Sequence, residues 1–257
     1  MMKVALTGAA TGIGAEVAAK LKAENHHVTV FDIFEPSVAV DHWIKIDLSD
    51  PASVDLAITQ ADGPFDALIN NAGLPPRAGL TEAVLKVNFL GFRTFLDGMM
   101  PKLAKGASIV NTASRAGAMW RENLPQIKDL FSLDPDELGG FVEKHQIDAT
   151  RAYNLSKEAM IVFTMAQTDK MIAQGFRMNS VSPAAVSTGI LDDFVKAFGE
   201  KVAKNIKRAG RAGDAHEIAD VIIFMASPAS NWIKGQDICV DGGMGAMAMS
   251  DILELNS

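Results

Sequence analysis

The chain contains a single tyrosine, Tyr153, and Lys157 follows it by four residues in a segment with helical periodicity. Residues spaced i and i+4 lie on one face of a helix, so the ammonium group of Lys157 can sit beside the phenol. A neighbouring positive charge lowers the pKa of a tyrosine from its ordinary value of about 10. Such a phenol can act as a general acid or base toward a hydroxyl or carbonyl group. Alone, such a pair is far more often a core tyrosine with a satisfied hydroxyl and a solvated lysine.

A glycine-rich turn near the N-terminus predicts a phosphate-binding site. A predicted strand over residues 3–7 leads into Gly8, Gly12 and Gly14, and a helix is expected over 13–24. The glycines allow a tight turn, close approach of the backbone to a pyrophosphate, and close packing of helix on strand. Backbone NH groups at the helix N-terminus then attract the anion. A glycine cluster alone is weak, but its place between strand and helix favours a dinucleotide site.

Asp32 directly follows the second predicted strand, residues 28–31, and lies 18 residues after Gly14. A carboxylate at this point can accept hydrogen bonds from both hydroxyls of an adenosine ribose, and it repels a 2′-phosphate. Positions 9–11 and 33–34 carry no arginine or lysine that could receive that phosphate. We therefore expect NAD(H) rather than NADP(H), although Asp32 could also be an ordinary acid in a turn.

Asp47 and Leu48 follow the third predicted strand and could contact the adenine. Asp47 could instead cap the helix predicted from residue 51. Ser49 and Asp50 are better placed for that capping role.

The elements that position these residues can be read from hydrophobic periodicity. Short apolar runs alternate with longer amphipathic segments, which is typical of a parallel sheet covered by helices. Strands are expected near 3–7, 28–31, 43–46, 67–69, 108–112, 178–181 and 237–240, and helices near 13–24, 51–60, 81–104, 152–174, 190–206 and 215–227. We predict one α/β domain over 1–257, a doubly wound, seven-stranded parallel sheet of Rossmann type with helices on both faces. Ligands bind such sheets at the carboxyl ends of the strands.

One stretch, about 118–150, interrupts this pattern. It is polar and charged and contains Pro125 and Pro135, with short helical pieces such as residues 138–145. We interpret it as an insertion that serves as a lid or a packing segment.

Composition limits the partners. The net charge of −7 argues against a nucleic-acid groove, which needs clustered cations. The single cysteine excludes an internal disulfide, and the five histidines lack metal-ligand spacing, so no catalytic metal is expected. No apolar run is long enough to span a bilayer or to form a signal-peptide core. We expect a cytoplasmic protein that binds a small molecule.

Taken together, the motifs resemble the short-chain dehydrogenase/reductase family. The glycine motif of the family corresponds to residues 7–14, its Asn-Asn-Ala-Gly motif to 70–73, its Tyr-x-x-x-Lys motif to 153–157, and its Asp-Gly-Gly motif to 241–243. The segment 182–188 is similar to the one that holds the nicotinamide carboxamide, although Ala184 follows Pro183 where the family usually has glycine. The resemblance covers essentially the whole chain.

The resemblance implies four catalytic residues, Asn88, Ser114, Tyr153 and Lys157. Tyr153 would be the general acid or base, and Ser114 would hold the reacting oxygen. Lys157 would lower the pKa of Tyr153 and bond the nicotinamide ribose, while Asn88 would hold a water that links Lys157 to solvent. The implied cofactor-binding residues are Gly8, Thr11, Gly12, Ile13, Gly14, Asp32, Asp47, Leu48, Asn71, Ala72, Gly73, Tyr153, Lys157, Pro183, Val186 and Thr188.

Ser114 and Tyr153 are separated by 38 residues, far more than the family usually has. In this respect the chain resembles the bacterial 3α-hydroxysteroid dehydrogenase/carbonyl reductase subgroup. In that subgroup a comparable insertion covers the surface that other members use to form tetramers. The resemblance therefore implies a homodimer made through the last helix and strand.

The expected substrate walls are the segment after Ser114 and the segment after the sixth strand. Their residues are Arg115, Met119 and Trp120 on one side, and Ile190, Leu191 and Phe194 on the other. A mainly apolar wall suits a secondary alcohol or carbonyl compound such as a steroid, terpenoid or aromatic, although these side chains could equally be core.

Other functions stay open at this point. The alternatives are a polyol, sugar or aryl-alcohol dehydrogenase, or a non-catalytic dinucleotide-sensing protein. The presence of both Tyr153 and Lys157 disfavours the sensing protein. A sugar-nucleotide epimerase would need a larger C-terminal domain.

Overall fold

A seven-stranded parallel sheet forms the centre of the computed structural model, which describes residues 1–255 apart from the side chain of Lys201. The strands are β1 Lys3–Thr7, β2 His27–Asp32, β3 His42–Lys45, β4 Phe65–Asn70, β5 Leu103–Thr112, β6 Arg177–Pro183, β7 Val186–Ser187, β8 Gly213–Asp214 and β9 Asp237–Val240. The sheet order is β3-β2-β1-β4-β5-β6-β9, and β7 pairs separately with β8. β2 and β3 are added on one side of β1, and β4, β5, β6 and β9 on the other. The order of the strands therefore reverses beside β1, and α/β sheets bind ligands at such a point.

Helices connect the strands. They are α1 Gly12–Ala23, α2 Pro51–Gln60, α3 Thr81–Leu85, α4 Phe92–Met99, α5 Leu124–Phe131, α6 Leu138–Lys144, α7 Ala149–Ala166, α8 Thr168–Ala173, α9 Leu191–Phe198, α10 Glu200–Ala209, α11 Ala215–Ala226 and α12 Met244–Ile252. A π-helical turn, Lys86–Gly91, joins α3 to α4. Within residues 1–255, no helix has the length and apolar character needed to cross a membrane.

Apolar side chains cover both faces of the sheet. On one face α1 and α11 supply buried residues such as Val17, Leu21 and Ile222. On the other face the cluster includes Phe89 and Phe95. Burial on both faces explains why central strands such as β1 and β4 are largely apolar rather than alternating. The predicted fold class, a doubly wound seven-stranded α/β sheet, is confirmed.

Three predicted helices differ in their boundaries. The helix predicted over 81–104 ends at Met99, because β5 begins at Leu103. The helix predicted over 152–174 is two helices, α7 and α8. The helix predicted over 190–206 breaks at Gly199, whose φ of +59° is not helical.

The insertion contains α5 and α6. Its composition is polar, but several of its apolar side chains are buried. Its apolar side chains Ile127, Leu130, Leu138, Phe141 and Ile147 are buried in the same cluster as the core of the main domain. The insertion therefore packs onto the domain and shares its hydrophobic core.

A buried ion pair within α7 is hydrogen-bonded to residues of the insertion. Glu158, 1% exposed, accepts two hydrogen bonds from the Arg151 guanidinium, at 2.9 and 2.6 Å. Asn123, just before α5, donates to Glu158 Oε1 at 3.0 Å, and Arg151 Nε donates to Gln126 at 2.8 Å. Shared hydrogen bonds of this kind offset the cost of burying the carboxylate.

Candidate active site

The glycine turn after β1 is shaped by close backbone contacts. A Cβ on Gly8 would lie 2.5 Å from Ala72 Cα, and a Cβ on Gly14 would lie 2.0 Å from the Gly8 carbonyl oxygen. The Asn71 side chain donates to the Gly8 carbonyl at 2.7 Å, and Thr7 Oγ1 accepts from the NH groups of Asn71 and Ala72 at 3.0 Å each. No larger residue fits at these glycines, so the turn after β1 and the turn after β4 form one unit.

The remaining predicted pyrophosphate residues gather at the start of α1. Thr11 is the N-cap residue of α1, and its side chain makes no capping hydrogen bond. Gly12 has a φ of +61°, and its missing Cβ would lie 3.6 Å from Thr188 Cγ2. Ile13 packs against the apolar cluster on the α1 face. The segment that follows β6 therefore passes directly over the turn where the helix presents free NH groups.

Pro183 ends β6, and Val186 begins β7 and is 8% exposed. The NH group of Ala184 donates to the Val240 carbonyl at 3.3 Å. The backbone at position 184, where the family usually has glycine, is thus hydrogen-bonded to β9.

Asp32 is held against the glycine turn by backbone NH groups. Its Oδ2 accepts from Ala10 at 2.8 Å, and its Oδ1 accepts from Phe34 at 3.1 Å. Each carboxylate oxygen keeps a further lone pair for another donor. Next to this carboxylate lie the exposed apolar side chains of Ile33 and Phe34.

The structure separates the two roles considered for Asp47. Asp50 is the N-cap residue of α2, and its carboxylate accepts from Ala52 at 3.0 Å. Asp47 instead accepts from the backbone NH and the hydroxyl of Ser49, at 2.8 and 2.7 Å, and turns the chain after β3. Asp47 therefore shapes the loop without capping α2.

Leu48 contacts a residue that the sequence did not single out. A Cβ on Gly91, in the π-helical turn, would lie 1.8 Å from the Leu48 carbonyl oxygen. The close approach of these two backbones requires glycine. Gly91 therefore fixes the predicted adenine loop against the helix that carries Asn88.

The structure brings the predicted tyrosine, lysine and serine together. Tyr153 lies near the start of α7, and its phenol is close enough to the Ser114 hydroxyl for this neighbour to lower its pKa. Lys157 Nζ lies 5.8 Å from the centroid of the Tyr153 ring and donates to the Thr112 carbonyl at 2.7 Å. Asp148 caps α7 through the Arg151 NH at 2.7 Å and so fixes the first turn. The site is therefore assembled from the end of β5 and one face of α7.

Burial dominates the electrostatics of this group. It raises the pKa of Tyr153 to about 12, and the hydrogen bond from Ser114 offsets only part of that rise. Burial also lowers the pKa of Lys157 to about 8. The expectation that Lys157 lowers the pKa of Tyr153 is therefore not met in this structure. Desolvation disfavours both charges, including the one that would have stabilised the phenolate.

Asn88 is buried in the π-helical turn and is bound to the loop after β4. Its Oδ1 accepts from the Leu74 NH at 2.7 Å, and its Nδ2 donates to the Leu74 carbonyl at 3.0 Å and to Ser156 Oγ at 3.3 Å. Both amide hydrogens are thus used within the protein, and the predicted role in holding a water stays a prediction. π-Helical turns are frequent at functional sites.

Gly73 separates Asn88 from Lys157. A Cβ at this position would lie 3.2 Å from Asn88 Oδ1 and 3.7 Å from Lys157 Nζ. Gly73 therefore keeps open the space through which Lys157 could reach a ligand.

Among the predicted substrate residues, Phe194 lies closest to the chemistry described above. Its ring meets the Tyr153 ring edge-on, with centroids 5.2 Å apart. Phe198, one turn later on α9, stacks on Phe194 at 6.3 Å with an interplanar angle of 9°. Arg77 and Asp193 form an ion pair at 2.8 Å that ties α9 to the loop after β4. The sequence did not single out Phe198, Arg77 or Asp193, although the i+4 spacing of the two phenylalanines signals one helix face.

The other wall residues divide into two groups. Trp120 packs against the core cluster and carries the Arg121 guanidinium over its ring at 4.2 Å. Leu191 is half-buried. Met119 and Ile190 are 51% and 37% exposed, so both are open to solvent.

Arg115, predicted as a wall residue, makes its polar contacts at the far end of the chain. Its Nε lies 3.1 Å from Asp241 Oδ2, and its Nη1 donates to Cys239 Sγ at 3.2 Å. Its guanidinium therefore contacts the last strand and the turn that follows it. The sequence could not show this because the partners lie more than 120 residues further along the chain.

Comparison with known proteins agrees with this geometry. Residues 2–126 match the family described as short chain dehydrogenase, and residues 140–245 match the one described as enoyl-(acyl carrier protein) reductase. The coniferyl-alcohol dehydrogenase of Pseudomonas sp. (strain HR199 / DSM 7063) is 35% identical over 94% of this chain and 96% of its own. The 3-alpha-hydroxysteroid dehydrogenase/carbonyl reductase of Comamonas testosteroni is 28% identical over 96% of this chain and 98% of its own.

A solved structure is similar over the whole length. The 3-alpha-hydroxysteroid dehydrogenase from Pseudomonas sp. B-0831, complexed with NADH, has a TM-score of 0.83 at 26% identity and covers 99% of both chains. With its glycine turn, its Ser114–Tyr153–Lys157 group and these relatives, the chain belongs to the short-chain dehydrogenase/reductase family and is an oxidoreductase of alcohols and carbonyl compounds.

Proposed function

We propose that this protein is an NAD(H)-dependent dehydrogenase/reductase of hydrophobic alcohols and carbonyl compounds, with Tyr153 as its general acid and base. One observation carries the proposal. The Tyr153 phenol interacts with Ser114, which lowers its pKa, and Lys157 Nζ lies 5.8 Å from the centroid of its ring, at the strand ends that also form the glycine turn.

The proton chemistry follows from the contacts of Tyr153. During reduction, the phenol donates its proton to the substrate oxygen as that oxygen gains negative charge, and during oxidation the phenolate removes the hydroxyl proton. Ser114 donates a hydrogen bond to the same oxygen, and a donor aimed at developing charge contributes about 3 kcal/mol in comparable sites. A bound nicotinamide supplies or accepts the hydride.

Lys157 is placed to bind a ribose hydroxyl of the cofactor. Its Nζ already donates to the Thr112 carbonyl at 2.7 Å, which fixes the direction of the side chain. An ammonium group has three donors, so two are left for other acceptors. Gly73, with its missing Cβ 3.7 Å from Nζ, leaves room for them.

NAD(H) is proposed over NADP(H) because of Asp32 and its surroundings. The carboxylate is fixed by the NH groups of Ala10 and Phe34 and cannot swing away from a 2′-phosphate without losing both bonds. Ile33 and Phe34 provide no charge to neutralise such a phosphate. A kcat/KM for NAD at least about a hundredfold above that for NADP is expected, since like charges in this geometry cost several kcal/mol. Equal values would reject the cofactor assignment.

The substrate is proposed to be bulky and apolar, on the basis of the aromatic rings beside Tyr153. Phe194 covers the edge of the catalytic ring, and Phe198 and Trp120 pack nearby against the same core cluster. Apolar walls with few polar groups are typical of sites for hydrophobic ligands. A steroid, terpenoid or aromatic carbonyl compound fits this description.

Aryl alcohols are the second candidate substrate class. They are favoured by the 35% identity to a coniferyl-alcohol dehydrogenase and by the edge-on Phe194 ring, which can contact another aromatic ring. Steady-state rates with a hydroxysteroid, a cinnamyl alcohol and a polyol would separate the candidates. Turnover confined to the polyol would reject both apolar classes.

Tyr153→Phe tests the catalytic assignment. It keeps the ring that contacts Phe194 and removes only the hydroxyl, and no other tyrosine can replace it. We expect turnover to fall at least about a hundredfold while NADH affinity stays unchanged. Tyr153→Phe with wild-type turnover would reject the mechanism. An inactive wild-type chain that still binds NADH would indicate a sensing protein instead.

A homodimer is proposed from the exposed apolar surface near the C-terminus. Trp232 is 94% exposed, Ile252 at the end of α12 is 73% exposed, and Leu253, which follows α12, is 56% exposed. β9 is an edge strand of the sheet, and its free side can pair with a second copy. Sedimentation equilibrium should give twice the mass of one chain, and a single-chain mass would reject the dimer.

A further inference from the structure

Ser114 is the first residue of a short turn, and its own side chain stabilises that turn. Ser114 has extended backbone angles, and its Oγ accepts from the Ala116 NH at 3.1 Å. The Gly117 NH then donates to the Ser114 carbonyl at 2.9 Å. These bonds join residues 114–117 in one short turn. The position of the Ser114 hydroxyl therefore depends on what fixes this turn.

One anchor is the backbone of α7. A Cβ on Gly117 would lie 2.8 Å from the Lys157 carbonyl carbon and 2.9 Å from the Glu158 nitrogen. The turn therefore rests directly on the helix that carries Tyr153 and Lys157. This contact limits how far the turn can approach α7, but it does not prevent the turn from moving away.

The second anchor is Arg115. Its Nε is 3.1 Å from Asp241 Oδ2, and its Nη1 donates to Cys239 Sγ at 3.2 Å. Asp241 is itself fixed, because its carboxylate accepts from the NH groups of Gly243 and Gly245 at 3.0 and 2.9 Å. The Asp241 side chain is only 11% exposed, so the pair is less screened by water than a surface ion pair.

We propose that Arg115 is a positioning residue for Ser114. Its bonds to Asp241 and Cys239 hold the turn 114–117 at the distance at which the Ser114 hydroxyl meets the Tyr153 phenol. Arg115 would not contact the substrate; it acts through the serine. The inference rests on the proposed catalytic role of Ser114.

A double-mutant cycle tests it. Arg115→Met keeps the apolar stem of the side chain and removes the guanidinium. Because displacements of about 1 Å in an active site can cost about a hundredfold, we expect kcat to fall by about tenfold to a hundredfold. The KM for NAD should stay unchanged, since Arg115 touches neither the glycine turn nor Asp32.

In a Ser114→Ala background the same Arg115→Met change should have little further effect on kcat, because no hydroxyl is left to position. Multiplicative effects of the two changes would overturn the proposal, and so would an unchanged kcat in Arg115→Met alone. Arg115→Lys, which keeps a charge opposite Asp241, should recover part of the loss. Arg211→Met, which removes an exposed ion pair with Glu217, is the matched control and should leave kcat unchanged.

Asp241→Asn provides a second route if Arg115→Met does not fold. It removes the charge that holds Arg115 and should lower kcat in the same direction, again only when Ser114 is present. The test is separate from that of the proposed function. Retained turnover in Tyr153→Phe would reject the mechanism whatever Arg115 does, whereas a null result at Arg115 leaves the tyrosine assignment intact.

Discussion

The buried lysine offers a direct test of the electrostatic analysis through protein stability. Lys157 is 5% exposed, makes a hydrogen bond to a backbone carbonyl, and has a pKa lowered to about 8 by burial. In the unfolded chain its pKa is about 10.4. Folding at neutral pH therefore moves a charged ammonium from water to a buried position where its charge is less well solvated.

The size and sign of the effect follow from these two values. A difference of about 2.4 pKa units corresponds to about 3 kcal/mol, as an upper bound. Below the folded pKa of about 8 the full penalty is present. Between about pH 8 and pH 10.4 the unfolded chain binds more protons than the folded one, so the free energy of unfolding rises with pH. Above that window the penalty is gone.

Lys157→Met removes the titrating group and keeps a side chain of similar length. Loss of the bond to the Thr112 carbonyl shifts the variant by a constant amount, so the readout is the pH dependence. The free energy of unfolding of the wild type, minus that of the variant, should rise by up to about 3 kcal/mol between pH 7 and pH 10. Denaturant unfolding curves at intervals of half a pH unit measure it.

Ser114→Ala is the control for this experiment, because it alters the same site but keeps Lys157. Its stability should follow the wild-type pH dependence over the same range. A difference between wild type and Lys157→Met that stays flat from pH 7 to pH 10 would show that Lys157 remains charged in the folded protein. The account of burial at this site would then be wrong.

Two further predictions concern the same site. Because Tyr153 is the only tyrosine, tyrosinate absorbance reports on it alone, and the folded protein should show none up to about pH 11; a midpoint near pH 10 would contradict the burial of the phenol. Gly14→Ala places a Cβ 2.0 Å from the Gly8 carbonyl and should abolish NADH binding, measured by fluorescence titration. Gly140→Ala, in α6 with no atom within 4 Å, should instead stabilise the fold by about 0.5–1 kcal/mol; similar effects of both changes would refute the steric explanation.

The parts of the site that sequence reasoning located are those whose residue types have one dominant use. Gly8 and Gly14 could be assigned because only glycine satisfies the close contacts with Ala72 and with the Gly8 carbonyl. The i, i+4 spacing of Tyr153 and Lys157 on a helix predicted that the two side chains lie close together. The alternation of apolar strands and amphipathic helices predicted the sheet because both of its faces are buried.

The parts that it missed depend on contacts between distant segments. The direction of Arg115 is set by Asp241 and Cys239, and no local pattern encodes it. The insertion looked polar, but Ile127 and Leu130 of α5 pack into the main core. The sign of the Tyr153 pKa shift could not be inferred either, because it depends on how deeply the phenol and the ammonium are buried together.

The arrangement separates the chemistry of the site from its choice of substrate. The proposed catalytic groups lie on or next to the central strands and their loops. Lys157 is bonded to the end of β5, Ser114 follows that strand, and Asn88 is bonded to the loop after β4. Phe194 lies on α9, a helix that follows β7 and reaches the site through its ring contact with Tyr153.

Substitutions on α9 should therefore alter substrate preference with little effect on the proposed proton-transferring groups. The hydrogen bonds that hold those groups do not involve α9. The ion pair between Arg77 and Asp193 is the main polar contact described between α9 and the loop after β4, and the side chain of Arg77 is 53% exposed. Exposed ion pairs contribute at most about 1 kcal/mol and are screened by salt. We therefore expect α9 to be held more weakly than the proposed catalytic groups and to adjust to the substrate mainly through Phe194, whose ring contacts Tyr153.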